Sequence, residues 1–392
     1  MNAKSEVSAL TVGPKHHWFG YYDKTPWSFD HRFVLCMESD FADRPPVAGD
    51  RIRLGVVDTT KGNRMFEPFA ETAAWCWQTG CMLQWLPGSG RRVVYNTREG
   101  NHFAAVVHDL DRGDRKVLPL PVFCVTPDGR TALSINFSRL ARYRPGYGYA
   151  GVPDPFEQDL TPEKDGIWRM DLASGRHELI LPTAAAAATE PTPEMAGVAH
   201  RFNHVQVNTT GTRFGVLHRF MRRKGAGDLT RLLTANIDGS EVCVLNPNRL
   251  SSHYDWRDGD HLLIWARVPG TTIDAPKHCY IVFTDKTKEF ELFGEGDLPE
   301  GDGHCSYSPD RRWVLTDTYP SNVDQKQTLI LYHPGSRRRV DIGRFLHPPP
   351  FGGEYRCDLH PRWNRYGTKI CFDSVCDGTR QLYAADVKDV VR

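Results

Sequence analysis

One short motif recurs along this chain: a polar tight turn followed at once by a run of strand-forming residues. The turns are centred on Ser28-Phe29-Asp30, Pro87-Gly88, Pro127-Asp128-Gly129, Thr210-Gly211, Asp258-Gly259, Pro309-Asp310 and Tyr366-Gly367, seven in all. Proline presets φ, and aspartate and serine bond their own backbone, so each segment reverses the chain. The runs that follow, such as Trp313-Val314-Leu315, read as buried strands. Every copy is trailed by a second alternating run that ends in a polar residue, as in Leu54-Gly55-Val56-Val57-Asp58 and Ile167-Trp168-Arg169-Met170-Asp171.

Two hairpins per unit, repeated seven times, describe a four-stranded blade. Such a blade buries its two faces only against neighbouring copies. No helical periodicity of useful length competes with this pattern. The expected fold is therefore all-β: a seven-bladed β-propeller of four-stranded antiparallel blades. It is expected to form one domain over residues 1–392, with an insertion loop at about 137–200. Apolar residues at 40% and aromatic residues at 11% supply a core of that size.

A net charge of +1 predicts no nucleic-acid partner and no anionic membrane surface. The first residues lack the basic and apolar regions of a signal peptide, and no apolar run could span a bilayer. The ten cysteines show no CxxC pair and read as reduced thiols, so a cytoplasmic location is expected.

Three stretches carry the chemistry. The first, His16 to Pro26, holds His17, Tyr21 and Tyr22 and is expected at a channel mouth or as the segment that closes the ring. The second, Arg139 to Gly151, contains Arg144 and Tyr147. Basic, aromatic and glycine-rich, it suits an acidic sugar, because arginine pairs with a carboxylate through two bonds and sugar rings stack on aromatic faces. Residues 182–193, with five successive alanines, read as a short helix or a loop.

The third stretch is the second half of the chain, where His204, His253, His304 and His360 stand at similar places before the turns of successive blades. Blade geometry would gather all four at one end of the channel. Neutral imidazoles with one carboxylate are a common ligand set for manganese, iron or zinc. Asp358, two residues from His360 and on the same side of an extended strand, is the natural anion. The expected metal ligands are His304, Asp358 and His360, leaving His253 free for proton chemistry. His204, Tyr22 and Tyr254 are further catalytic candidates. His17, Arg144, Tyr147, His218, Arg219 and Arg356 are candidates for binding substrate.

The order of these small motifs resembles that of the oligogalacturonate lyases: His204-Val205-Gln206-Val207, then His218, then Arg231-Leu232-Leu233, then Ser252-His253-Tyr254 before Trp256, then Gly303-His304 before Ser-Pro-Asp, then His360-Pro361 before Trp363. The resemblance covers most of the chain and is strongest from His204 onward. It implies a cytoplasmic seven-bladed propeller that uses manganese, with iron, zinc or calcium as other options, to cleave uronic-acid oligosaccharides by β-elimination. It places His253 on the family's catalytic base, Arg231 on its catalytic arginine, and His304 and His360 on two metal histidines. The chain departs from the family at Asp358, where a histidine is usual, and at Tyr355, where a glutamine is usual.

The chemistry is coherent. Removing the weakly acidic C5 proton beside a uronate requires that the neighbouring carboxylate charge be neutralised, by a metal and by Arg231 or Arg219. Tyr22, Tyr254 or water would protonate the leaving oxygen. Two other classes fit the same fold. A glycoside hydrolase would use a carboxylate pair drawn from Asp23, Asp255, Asp317, Glu354 and Asp358, and a non-enzymatic binding propeller would use none of them.

Overall fold

The computed structural model describes residues 6–88, 90–221, 228–271 and 275–392. Seven four-stranded antiparallel sheets stand in a ring, each strand pairing with the next in sequence. One pairing breaks this order and closes the ring: Glu6–Ala9 adds to Gln381–Asp386 as the outer strand of the seventh blade. Closure therefore falls upstream of the aromatic stretch. His16–Trp18 is instead the inner strand of blade one, paired with Phe33–Ser39.

Five of the seven recurring turns share one design. A side-chain oxygen at the first position accepts the N–H of the residue five further on: Ser28 from Phe33 (2.9 Å), Thr126 from Thr131 (3.1 Å), Asn208 from Arg213 (3.1 Å), Ser308 from Trp313 (3.0 Å) and Asn364 from Lys369 (3.0 Å). The residue three past that acceptor is left-handed in all five. It is glycine at 129, 211 and 367, but His31 and Arg311 adopt φ of 59° and 63°. This turn is the physical content of the sequence repeat.

The stretch 137–200 contains regular structure. Gly166–Asp171 and His177–Pro182 are the two outer strands of blade three, so the extra chain lies on either side of them. Before them, helix α1 (Phe137–Tyr143) is capped by Asn136, whose side chain accepts from Arg139 N. After them, helix α2 (Thr183–Ala188) is the alanine run. All ten cysteines are free thiols. Among the described residues no helix is long and apolar enough to cross a membrane.

Candidate functional site

The inner strand of blade one is interrupted. After Trp18 the chain leaves the sheet, and Trp27 returns to bridge Val34. The intervening residues span the ring. Arg362 of blade seven holds the carbonyls of Gly20 and Tyr21 while its other bonds run to Asp373. At the far end the Tyr22 hydroxyl bonds Tyr254 of blade five, donating to its carbonyl (3.0 Å) and accepting from its N–H (2.8 Å). Gly20 lets this segment press against blade two, since a Cβ there would lie 2.9 Å from the Thr79 carbonyl carbon.

The four histidines gather around this crossing. The Tyr22 ring lies 5.4, 5.5, 5.4 and 6.4 Å, between centroids, from His204, His253, His304 and His360. His304 is central, 4.1 Å from the His253 ring and 4.3 Å from that of His360. His204 and His360 are strained, with φ of 50° and 41°, a cost of the order of 1–3 kcal/mol that folds retain where side-chain placement demands it. Asp358 and His360 thus converge from a loop with a left-handed residue and not, as expected, from neighbouring positions on one extended strand.

The ligand atoms of His304, Asp358 and His360 all lie within 4.8 Å of one another. Ligand atoms on one ion at about 2.1–2.2 Å are at most about 4.4 Å apart, so a closure of a few tenths of an ångström would seat a metal. His304 Nε2 and His360 Nε2 are buried and without a hydrogen-bond partner, which buried polar atoms rarely are. Asp317 fixes the tautomer of His304 by accepting from Nδ1 (2.8 Å), and so turns the lone pair of Nε2 toward the cluster. Burial pushes His360 well below the ordinary histidine range, with the neighbouring His304 charge adding to the effect. For Asp358 burial opposes ionisation, but Arg356 and then His304 outweigh it and hold the carboxyl low. Two imidazole nitrogens and a carboxylate form a donor set that fits a divalent ion once the ion displaces the proton that Asp317 favours on His304. The loop that carries them is braced: His347 accepts from Cys357 N–H (3.1 Å), and Gln78 and Arg380 donate to backbone carbonyls at 354–356.

His253 stands beside this set. Its Nδ1 donates to Asp302 (3.0 Å), which Ser252 also bonds (2.6 Å). Nε2 is then the free base. Burial lowers its pKa, Asp302 partly restores it, and His304 lowers it again. Asp302 was not among the residues expected from sequence. It belongs to the next blade, 49 positions away, and its one local signal is that it stands two residues before His304.

Opposite lies a cationic wall. Burial pushes the Tyr21 phenol well up while Arg219 and Arg144 pull it back, and Arg201, itself paired with Asp228, adds to the field at Arg219. Arg219 is pushed down to about 9, by burial first and then by Arg144 and Arg201. The Nε atoms of Arg144, Arg201 and Arg219, and Nη1 of Arg201, are buried without hydrogen-bond partners. Clustered guanidiniums with unused donors favour an anion between them. Arg356 joins this wall to the metal-type cluster, with Nε donating to Asp358 Oδ1 (3.1 Å) and Nη2 to the Tyr147 hydroxyl (2.9 Å).

Several expected residues lie elsewhere or are fully engaged. Arg231, expected as a catalytic arginine, is 2% exposed. It donates to the carbonyls of Ala186, Thr189 and Glu190 (2.5, 2.8 and 3.1 Å) and, through Nε, to His218 (3.0 Å). Four of its five N–H donors are spent in this way, so it fastens α2 to blade four. His218 passes the chain on to His200 (2.9 Å), so a substrate-binding role has no nitrogen left to use. His17 sits between Gln381 and Glu38 in the first blade. Tyr254 spends its hydroxyl on the carbonyls of His204 and Gly215 (2.8 and 2.7 Å), and Tyr22 is tied as described, so neither expected catalytic phenol has a free proton. His204 has two unpartnered nitrogens and lies 3.5 Å from Asp23. Tyr355 packs on the core of blade one.

No family model matches the chain, and no curated protein matches it. Among solved structures it is similar to an oligogalacturonate lyase from Vibrio parahaemolyticus, with a TM-score of 0.68 at 14% identity over 100% of this chain and 96% of that one. It is also similar to an oligogalacturonate lyase in complex with manganese, with a TM-score of 0.67 at 14% identity over 98% and 94%. A xyloglucanase from Xanthomonas campestris matches less well, with a TM-score of 0.50 at 14% identity over 95% of this chain and 52% of that one. At such identities these likenesses establish the seven-bladed propeller fold.

Proposed function

We propose that this chain is a carbon–oxygen lyase that cleaves an acidic oligosaccharide next to a uronic acid by β-elimination, leaving an unsaturated uronate. The observation that carries this reading is the pairing of a carboxylate-oriented free base, His253, with two kinds of charge-neutralising group: the His304, Asp358 and His360 donor set and the guanidiniums of Arg144 and Arg219. Abstraction at C5 builds negative charge on the adjoining carboxylate, and groups preorganised for that charge lower the barrier. Manganese, the ion named for one of the similar structures, is the expected metal; when bound, it would supply Lewis-acid stabilisation of that carboxylate.

In this mechanism Asp302 holds the His253 tautomer, and His253 Nε2 accepts the C5 proton. Arg144 and Arg219 orient the uronate and offset its charge. The rings of Tyr21 and Tyr22 wall the base from bulk water. Hydrolysis is less well supported, because it needs two carboxyl groups free to act on one glycosidic bond. Of the five candidates, Asp317 is engaged by His304, Asp358 by Arg356, and Asp23 by Lys24, while Asp255 accepts from Gln206 and from the Tyr307 N–H, which leaves Glu354 without a second free carboxyl.

The test combines metal analysis with a product assay. The protein, loaded with manganese, is offered uronate oligosaccharides, and the ultraviolet absorbance of the new conjugated double bond is followed. The expectation is about one bound ion per chain, lost in His304→Ala and in His360→Ala, with turnover reduced about 10²–10⁴-fold in His253→Ala. New reducing ends without a double bond would replace this reading with hydrolysis.

A further inference from the structure

Elimination also needs a proton for the departing oxygen, and the two tyrosines expected to supply it have their hydroxyls committed to backbone. We propose that Tyr147 is the general acid of this site, delivering its phenolic proton to the glycosidic oxygen at C4. The inference rests on the lyase reading above.

The geometry singles out this phenol. Tyr147 follows α1, and its hydroxyl accepts from Arg356 Nη2 at 2.9 Å. The Arg144 guanidinium lies 4.6 Å from the ring centroid. A guanidinium only donates, so the Arg356 bond occupies a lone pair of the oxygen and leaves its O–H unused. No acceptor for that proton is found among the described residues. Tyr147 is 4% exposed, yet it borders the open edge of the site, where the Arg356 side chain is 26% exposed.

Its placement relative to the base is also suitable. Both border the Tyr21 ring, whose centroid lies 6.4 Å from that of Tyr147 and 6.3 Å from that of His253. His253 adjoins one member of the donor set, His304, while Tyr147 reaches another, Asp358, through Arg356. A uronate carboxylate at that donor set would have the base on one flank and the phenol on the other. The titratable and charged groups facing Tyr147 are Arg144 from the α1 loop, Tyr21 from the crossing segment, Arg219 from blade four, Tyr319 from blade six, and Arg356 and Asp358 from blade seven. Burial opposes ionisation of the phenol, but Arg356 and then Arg144 outweigh it and set its pKa below the ordinary tyrosine value.

The step balances. His253 Nε2 takes the C5 proton, the C5–H electron pair becomes the C4–C5 double bond, and the C4–O bond breaks with its pair on oxygen. That oxygen takes the Tyr147 proton, leaving a phenolate between Arg356 and Arg144. Water reprotonates the phenolate, and His253 returns its proton to water, so no oxidant or co-reactant is required.

Leaving-group chemistry tests this. Two probes are used: an oligouronide, whose leaving alkoxide needs a proton, and a methyl uronide carrying a 4-nitrophenyl ether at O4, whose leaving phenolate does not. Tyr147→Phe is expected to lower kcat on the oligouronide about 10²–10⁴-fold and to change elimination of nitrophenolate by less than about tenfold. Exchange of the C5 hydrogen with deuterated water should persist in Tyr147→Phe and vanish in His253→Ala. Where the phenylalanine variant folds poorly, 3,5-difluorotyrosine at position 147 preserves the shape and should move the alkaline limb of the pH–rate profile to lower pH. Equal losses on both probes, or an unmoved alkaline limb, would overturn the assignment of Tyr147 alone. A wild type that neither exchanges C5 hydrogen nor forms a double bond overturns the lyase reading and the Tyr147 assignment with it.

Discussion

Two buried histidine clusters sit side by side in this propeller, and they differ in what their nitrogens bond. In the first, Arg231 donates to His218, His218 donates to His200, and His200 donates to the Met195 carbonyl (2.9 Å). Because arginine can only donate, the direction of the whole chain is fixed, and so are both tautomers. In the second, His304 and His360 each leave Nε2 without a partner and His204 leaves both nitrogens. Residue type and burial are nearly the same in the two. A cluster with every polar atom satisfied is a fastening, whereas one in which His304 and His360 leave ligand nitrogens open beside Asp358 is prepared for something to arrive.

The largest expected effect comes from making the same substitution in each cluster. His304→Gln should lower kcat/KM about 10³-fold or more, comparable to losing a principal charge-stabilising group, with a smaller loss of Tm than His218→Gln, because the His304 backbone N–H still bonds the Asp317 carboxylate (2.8 Å). His218→Gln should do the reverse, because it strands the buried Arg231 Nε and a nitrogen of His200. The stability cost is about 2–4 kcal/mol, with turnover per folded molecule unchanged. Thermal melts and steady-state kinetics on the two proteins decide the matter, and a drop in activity for His218→Gln at full folding would erase the distinction.

The arginines sharpen it next. Arg219→Gln should raise KM for a uronate oligosaccharide about 10–100-fold, the loss expected for a charge-assisted contact of about 1.5–3 kcal/mol. Arg231→Gln should leave KM unchanged and lower Tm, because it releases α2. If Arg231→Gln raised KM in a stably folded protein, its three backbone bonds would not be its main role.

How much of this was legible in sequence follows from the range of the interactions. The blades were readable because each turn is local: Ser308 bonds a residue five positions on, and that spacing repeats. The positions of His253, His304 and His360 were readable because they share a place relative to those turns. Partners across blades were not. Nothing local joins His253 to Asp302, and Arg231 and Arg219 stand on adjacent strands in much the same setting, each between one polar and one hydrophobic residue. Motif order placed the catalytic arginine on Arg231, but the two are separated only by the tertiary fact that α2 caps Arg231. Tyr22 and Tyr254 are plausible acids by sequence, but their hydroxyls are bonded to backbone, Tyr22 to Tyr254 and Tyr254 to His204 and Gly215.

The smallest effect concerns acid stability, where the two clusters should behave alike despite their different roles. Burial holds His204 at about 4, with Asp23 partly opposing the shift, and holds His218 well below the ordinary value, with Arg231 adding to it. An unfolded chain binds protons at both near pH 6.5, while the folded chain refuses them, so each contributes stability that is present above pH 6.5 and lost as pH falls. For His204 the window runs from about 6.5 to about 4. The slope for each such group approaches about 1.4 kcal/mol per pH unit once pH is well inside its window. His304 works in the opposite direction: burial lowers it, but Asp317 raises it further, so its contribution is held at low pH and lost as pH rises. Denaturant unfolding between pH 6.5 and 4.5 should therefore show stability falling toward acid. The fall should be shallower in His204→Gln and in His218→Gln, each by about one proton. An unchanged slope in both variants would mean that these imidazoles accept protons in the folded state, and the tautomer chain from Arg231 to Met195 would then have to run differently.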